Sequence, residues 1–600
     1  ADWVRFMTKY NSFHFSPENN RSMLMPRLPK QEAFAKALKN HMVRPKYPPI
    51  PEEKLNKYPY FQCNLGLHLK QLSVGGELRH YGVYVPDGMI GKGLGLVLFL
   101  PAGVAAESFP QYENWQALAE KYHTAIFLLE SSPEGWCGTR LEKDFDFAWE
   151  VVNSEFSGRL TVDVCESCFY PIGLADAAAV AASFALTYSA TFPAFAVDGD
   201  CSVDPVLLET LEQLPSDGVK TRKKTDIAMP AFVTDRTGGG NALKRYLCKL
   251  MGRAEQEAYS NRYGTVYLQK PHQGAWFVND QPTAEVWFGP GQETFSREEI
   301  NEAMVRFVLR WSLWGGSGNN HLRYLESSVE MGMHRVNLTV NGLPRYFDLF
   351  VPSCYRPEDG KQYPLVVAIH GFSCNAEYFE KTSEWHRLAE ERGFFVAYAS
   401  AYPYNDGSAR FPVPHWALKA LDVEPHDEIT YFRKLLEMVE GAYSIDPRRI
   451  YAAGHSNGGQ MTQALLRAMP EKFAAFSPAG ALLAWRNDQI ELPPKNIVCP
   501  VWFMMGEYDV SDPEPGEGSM ARRTIEEYAK ANGGTASGGW YDDGIYHTLS
   551  VYGEAHMPVL RYTIIQGCPH TYTPEMAMLA WDQWFCHFTR EADGSVVYHG

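Results

Sequence analysis

The chain has 600 residues, 45% of them hydrophobic and 21% charged, too many for one ordinary domain and enough for two large cores. Its 55 basic and 71 acidic side chains leave a net charge of −16, which repels a phosphate backbone and excludes nucleic acid as a partner. No apolar run is long enough to span a membrane, and 11 scattered cysteines argue against a disulfide framework and favour a reducing compartment.

Residues 1–60 show no clear period and include the Pro-rich run from Arg44 to Pro51, expected to be an extended arm or extension. The first residues, Ala-Asp-Trp, suit either loss of Met or removal of a secretion signal, so cytoplasm and export both stay open. From Gly76 to Pro86 the residues alternate as a strand does, and Leu96–Leu100 form a fully apolar one. A helix through Trp115, Leu118 and Ala119 follows, then a strand at Ala125–Leu129. Cys165-Glu-Ser-Cys168 is a lone C-x-x-C with no second pair at zinc spacing, which reads as structural. No metal site is expected.

The same order returns after about residue 330. Gly342–Pro352 repeats the first strand, Leu365–His370 the second, Trp385 to Glu390 the helix and Phe394–Tyr398 the third strand, at offsets of 266, 269 and 270. A repeat of this length predicts two copies of one α/β domain, each a mostly parallel sheet with helices on both faces. The expected divisions are 1–60, 61–318 and 319–600, with the Gly-rich stretch 314–320 as linker.

In the second copy, Ile450–Ala453 reads as a buried strand that breaks into Gly454-His455-Ser456-Asn457-Gly458 before a helix. Strand, Ser-centred turn and helix are the context of a nucleophile elbow. Acyl transfer also needs an orienting acid and a base, which in this arrangement follow in that order at strand ends. Val501–Met505 is the next buried strand, and Asp509 stands just past it, with Glu507 and Asp512 as competitors. Val559–Ile565 is the last strand and leads to His570, ahead of a closing helix through Trp581, Trp584 and Phe588. His547, His556 and His587 read as ordinary histidines. The oxyanion donors are expected from Asn457 and from the loop after His370, where Phe372 is the first choice and Ser373 the alternative. His455, Trp416 with its neighbour His415, and Trp540 are the candidates for contact with substrate.

Residues of about 330–590 resemble the α/β-hydrolase branch that contains polyhydroxybutyrate depolymerases and the feruloyl and acetylxylan esterases of carbohydrate esterase family 1. The resemblance is carried by I-H-G-F-S-C-N-A-E-Y-F at 369–379, Y-S-I-D-P-R-R-I-Y-A-A-G-H-S-N-G-G at 443–459, M-G-E-Y-D at 505–509 and G-C-P-H-T-Y at 567–572. It implies an α/β-hydrolase fold for this stretch and a serine esterase that needs no metal or cofactor; together with the repeat, the chain is read as two tandem α/β-hydrolase domains. The resemblance does not choose the ester; the leading reading is an aryl or acetyl ester of a glycan or a related small ester, with a polyester depolymerase as the alternative and a peptidase or a non-catalytic binding protein behind it. Tannases and some fungal feruloyl esterases bridge cysteines beside Ser and His; with His at position 455 that bridge is absent.

Aligned on the elbow, the first copy has Gly173 at the first glycine and Ala175 where Ser456 stands, Pro101-Ala-Gly103 in place of H-G, Arg236–Gly240 without an obvious acid after the strand at 231–234, and Glu293 near the place of His570. The first copy is therefore expected to be non-catalytic. Acyl group, alcohol and oligomeric state are not specified by any of these residues.

Overall fold

The computed structural model describes residues 64–600 apart from 88, 90, 159, 190, 214–228, 270–283, 291–294, 313–321, 405–411, 419–425 and 484–496. The extension 1–60, the linker 314–320 and Glu293 therefore lie outside the described residues. The chain forms two units, the second made of Glu326–Tyr404 and Val413–Gly600 and the first holding the chain up to Leu325 together with Pro412.

The first unit holds β1 (Gly66–Val74), β2 (Glu77–Val85), β3 (Gly93–Phe99), β4 (Thr124–Leu129), β5 (Val164–Ala175), β6 (Phe195–Gly199), β7 (Ala231–Asp235), β8 (Tyr259–Asn261), β9 (Gly264–Leu268) and β10 (Glu285–Gly289) in one ten-stranded sheet, ordered β1-β2-β4-β3-β5-β6-β7-β10-β9-β8. A small antiparallel pair, β11 (Trp311–Ser312) and β12 (Arg323–Tyr324), closes the unit.

The second unit holds β13 (His334–Val340), β14 (Leu343–Phe350), β15 (Tyr363–Ile369), β16 (Phe395–Ala399), the short pair β17 (Pro403–Tyr404) and β18 (Val413–Pro414), then β19 (Ile445–His455), β20 (Ala475–Ala479), β21 (Val501–Tyr508), β22 (Ala536–Asp543), β23 (Tyr546–Tyr552) and β24 (Pro558–Pro569). Its ten-stranded sheet runs β13-β14-β16-β15-β19-β20-β21-β24-β23-β22, the same order as in the first unit. Each sheet is mixed. The central strands, β16 through β24 in the second unit, are parallel, whereas both flanks are antiparallel. The fully apolar runs became the parallel centre, buried on both faces, and the alternating segments became the half-exposed flanks.

The pleat of β15 divides the core. Leu365, Val367 and Ile369 pack with Phe432, Leu436, Leu465 and Tyr528 on one face. Val366 and Ala368 pack with Phe379, Trp385, Trp581 and Trp584 on the other. Both faces are sealed by helices, so the strand ends are where polar side chains meet. Among the described residues no helix is long and apolar enough to cross a membrane.

Candidate active site

Ser456 sits between the end of β19 and the helix Asn457–Ala468 with φ 56° and ψ −119°, a conformation that strains any residue with a Cβ. Two glycines permit the turn. A Cβ on Gly454 would lie 2.3 Å from the Gly458 carbonyl oxygen, and one on Gly458 would lie 2.2 Å from the carbonyl oxygen of Ile369 in β15. The turn is pinned by Ser456 N–H donating to Ala479 O at 2.8 Å and by Gln460 N–H donating to Ser456 O at 2.9 Å.

His570, just past β24, places Nε2 2.8 Å from Ser456 Oγ and Nδ1 2.7 Å from Asp509 Oδ1. Asp509 is buried and accepts from the Val510 N–H at 2.7 Å and the Gly506 N–H at 3.4 Å. A carboxylate so supplied with donors is held as an acceptor, which puts the imidazole proton on Nδ1 and leaves Nε2 to accept from the serine hydroxyl. The competing acids are elsewhere: Asp512 is exposed and accepts from the Glu514 N–H, and Glu507 lies within β21 ahead of the turn.

The loop after β15 closes the opposite side. His370 is buried, donates through Nδ1 to Gly371 O at 2.7 Å and accepts at Nε2 from the Ala401 N–H at 3.0 Å. Burial lowers its pKa to about 4, so it is a neutral strut. The Ser373 N–H donates to Pro414 O at 2.8 Å, which removes the alternative oxyanion donor by turning it away. Phe372 packs its ring on His415 at 5.1 Å. Asn457 opens its helix, where a backbone N–H has no acceptor within the helix.

The substrate-contact candidates divide. His455 is half-buried, with its ring 4.6 Å from that of His570. Trp416 is a correction: it is buried, donating from Nε1 to His370 O at 2.8 Å and from its backbone to Asn457 Oδ1 at 2.8 Å. It ties the loop after β15 to the turn at Ser456 from within the core. Its neighbour His415 is buried too and stacks on Tyr404 at 3.8 Å. Trp540 stands half-exposed on the edge strand β22, stacked on His547 at 4.5 Å and edge-on to Tyr562 at 6.2 Å. Two further residues matter here and carry no signal in the sequence: His370, which there marks a strand end, and Gly480, which the fold brings against His455 and His570.

The first unit keeps the turn and loses the groups. Ala175 ends β5 with φ 51°, and a Cβ on Gly173 would lie 2.5 Å from Ala181 Cβ. Asp176 Oδ1 accepts from the Ala102 N–H at 3.0 Å. An acid does end β7, contrary to the sequence reading: Asp235 is buried, but its oxygens accept from the N–H groups of Gly238 at 3.2 Å and Gly240 at 2.9 Å and so cap the loop before the helix Asn241–Leu250. Asp198 is paired with Arg236 at 2.6 Å and also with Arg297.

Residues 342–499 match the family described as "Putative esterase". That match lies within the second unit and takes in the turn at Ser456. The bifunctional acetylxylan esterase/xylanase XynS20E of Neocallimastix patriciarum is 21% identical over 248 residues, 40% of this chain and 34% of that protein. Poly(3-hydroxyalkanoate) depolymerase C of Paucimonas lemoignei is 30% identical over 115 residues, 19% of this chain and 27% of that one. This chain thus spans well under half the length of these curated relatives. Among solved structures, the acetyl xylan esterase of Aspergillus awamori is similar with a TM-score of 0.32 at 16% identity, covering 42% of this chain and 98% of that one.

Proposed function

We propose that the second unit is a serine carboxylic-ester hydrolase acting on acetyl- or feruloyl-type esters, including those carried on glycans. The observation that carries the proposal is the hydrogen-bonded chain from Ser456 Oγ through His570 to Asp509 at the end of a parallel sheet. In this reading Ser456 Oγ attacks the ester carbonyl carbon while His570 Nε2 takes its proton. The carbonyl oxygen becomes an oxyanion beside the backbone N–H groups of Phe372 and Asn457. Collapse breaks the bond to the alcohol oxygen, which receives the proton from His570. Water, deprotonated by the same nitrogen, then releases the acid and restores Ser456. Asp509 holds the imidazole tautomer and offsets its charge.

The acetylxylan esterase name borne by relatives supports the acetyl ester class. The polyester reading keeps a place because one relative is a poly(3-hydroxyalkanoate) depolymerase. The first unit, over about 61–318, is read as a non-catalytic copy, with 319–600 the catalytic domain and 1–60 an extension. Two measurements on the purified chain test the proposal. Ser456→Ala should abolish both p-nitrophenyl acetate hydrolysis and labelling by a fluorophosphonate; retention of either sinks it. Rates on feruloyl, acetyl and 3-hydroxybutyryl esters then separate the substrate classes.

A further inference from the structure

His570 is held in the plane of its ring, by Asp509 at Nδ1 and Ser456 at Nε2. Two hydrogen bonds in that plane leave the ring free to tilt about the line joining its nitrogens, and tilting misaligns Nε2 with the proton it must take. A contact with the ring from outside that plane would limit the motion. His455 supplies one: its ring centroid lies 4.6 Å from that of His570, inclined by 38°. The His455 ring is itself enclosed. Tyr572 meets it edge-on at 6.1 Å. A Cβ on Gly371, in the oxyanion loop, would lie 3.8 Å from its Nδ1. On a third side is Gly480, with φ +59°, where a Cβ would lie 2.9 Å from Cδ2 and Nε2 of His455 and 3.1 Å from Cε1 of His570. Side-chain carbons essentially never approach so closely, so at position 480 only glycine leaves the two rings where they are.

We propose that His455 is a positioning residue for His570, with Gly480 the clearance that lets the two rings meet; this rests on the reading of Ser456, His570 and Asp509 as the catalytic groups. Because His455 also precedes Ser456 in the elbow, one side chain spans the nucleophile's turn, the oxyanion loop and the base. Its removal should slow the chemical step and leave ester binding alone.

The test measures kcat and KM separately for p-nitrophenyl acetate on the full chain, with thermal unfolding alongside. His455→Ala is expected to lower kcat about 10- to 100-fold, the range a misplacement of about 1 Å produces, with KM within about twofold. His455→Phe, which keeps the ring and loses its nitrogens, should return kcat to within about threefold of the parent. Gly480→Ala should be slow, and should cost less when added to His455→Ala than when added to the parent, since much of the clash is with the missing ring. Should His455→Ala not fold, His455→Asn takes its place: Asn must be slow and Phe fast. An unchanged kcat in His455→Ala, a Phe variant as slow as Ala or Asn, or an effect on KM alone overturns the proposal. Ser456→Ala, run in parallel, keeps the two ideas apart. Hydrolysis near the parent rate there refutes the catalytic assignment, whereas a slow Ser456→Ala with a fast His455→Ala refutes only the positioning role.

Discussion

Asp509 has both carboxylate oxygens engaged, one by Val510 N–H and His570 and the other by Gly506 N–H. Asparagine at this position would keep the shape and present an amide donor to Nδ1, forcing the imidazole toward the tautomer that cannot accept from Ser456. Asp509→Asn should therefore lower kcat by about 10⁴-fold, the size seen for the same exchange in a serine protease triad, while the thermal midpoint moves little; pre-steady-state acylation is the measurement. His370 makes a separate, pH-dependent contribution. Burial lowers its folded pKa to about 4, with the charges of Arg345 and His415 adding to the fall and the bond to Gly371 O opposing it. An unfolded imidazole takes its proton near 6.5. As pH falls from about 6.5 to 4 the unfolded chain binds a proton that the folded chain refuses, so stability is lost across that window, by roughly 3 kcal/mol in full. Denaturant titrations at pH 7, 5.5 and 4 should show that loss in the parent chain and a shallower one in His370→Gln, which starts less stable at pH 7 because it gives up the bonds to Gly371 and Ala401.

The elbow is an element that fails as a whole. Gly458 faces the Ile369 carbonyl of β15 so closely that Gly458→Ala must push the helix Asn457–Ala468 off the sheet; a cost of about 3 kcal/mol and loss of fluorophosphonate labelling are expected. The helix Ala376–Ser383 carries a second element-level device. Glu380 is buried beneath β14, and burial, then the charge of Asp348, holds its pKa well above the usual carboxylate value. It accepts from Ser328 Oγ at 2.6 Å. A raised carboxyl pKa means the folded chain keeps a proton that the unfolded chain sheds above about 4.5, so stability falls as pH rises from there. Glu380→Gln keeps the shape without the ionisation; its stability relative to the parent should improve from pH 5 to pH 8 in paired urea melts. The elbow, the order Ser456, Asp509, His570 and the apolar parallel strands were legible because each depends on near neighbours in the chain or on chain order. The roles of Trp416, Trp540, Ser373 and Gly480 were not, because each is set by which distant backbone the fold brings against it. Pro414 claims the amide of Ser373, β23 and β24 meet the ring of Trp540, and His455 and His570 crowd Gly480.

The two sheets of identical strand order each place a non-glycine residue at positive φ where the corresponding strand ends, Ala175 at 51° and Ser456 at 56°. If, as proposed, only the second unit is catalytic, the sign of φ at this position does not distinguish the two units, and the side chains around the turn must. Beside Ala175 the amide of Ala102 is taken by Asp176, and the strand-end acid Asp235 is spent on its own loop. A hydroxyl at position 175 would have the strained backbone of a nucleophile, while the amide and the acid beside it are already taken up. Ala175→Ser should accordingly fold like the parent. In a chain that also carries Ser456→Ala, it should label with a fluorophosphonate at under about one thousandth of the parent rate, the scale on which loss of a triad member is felt. Intact mass spectrometry after labelling reads the result directly: one adduct for the parent and for Ala175→Ser alone, none for the double variant. An adduct on residue 175 at a rate near the parent's would mean that the first unit holds an unrecognised base and that the elbow's geometry alone, once given a hydroxyl, is enough to recruit it.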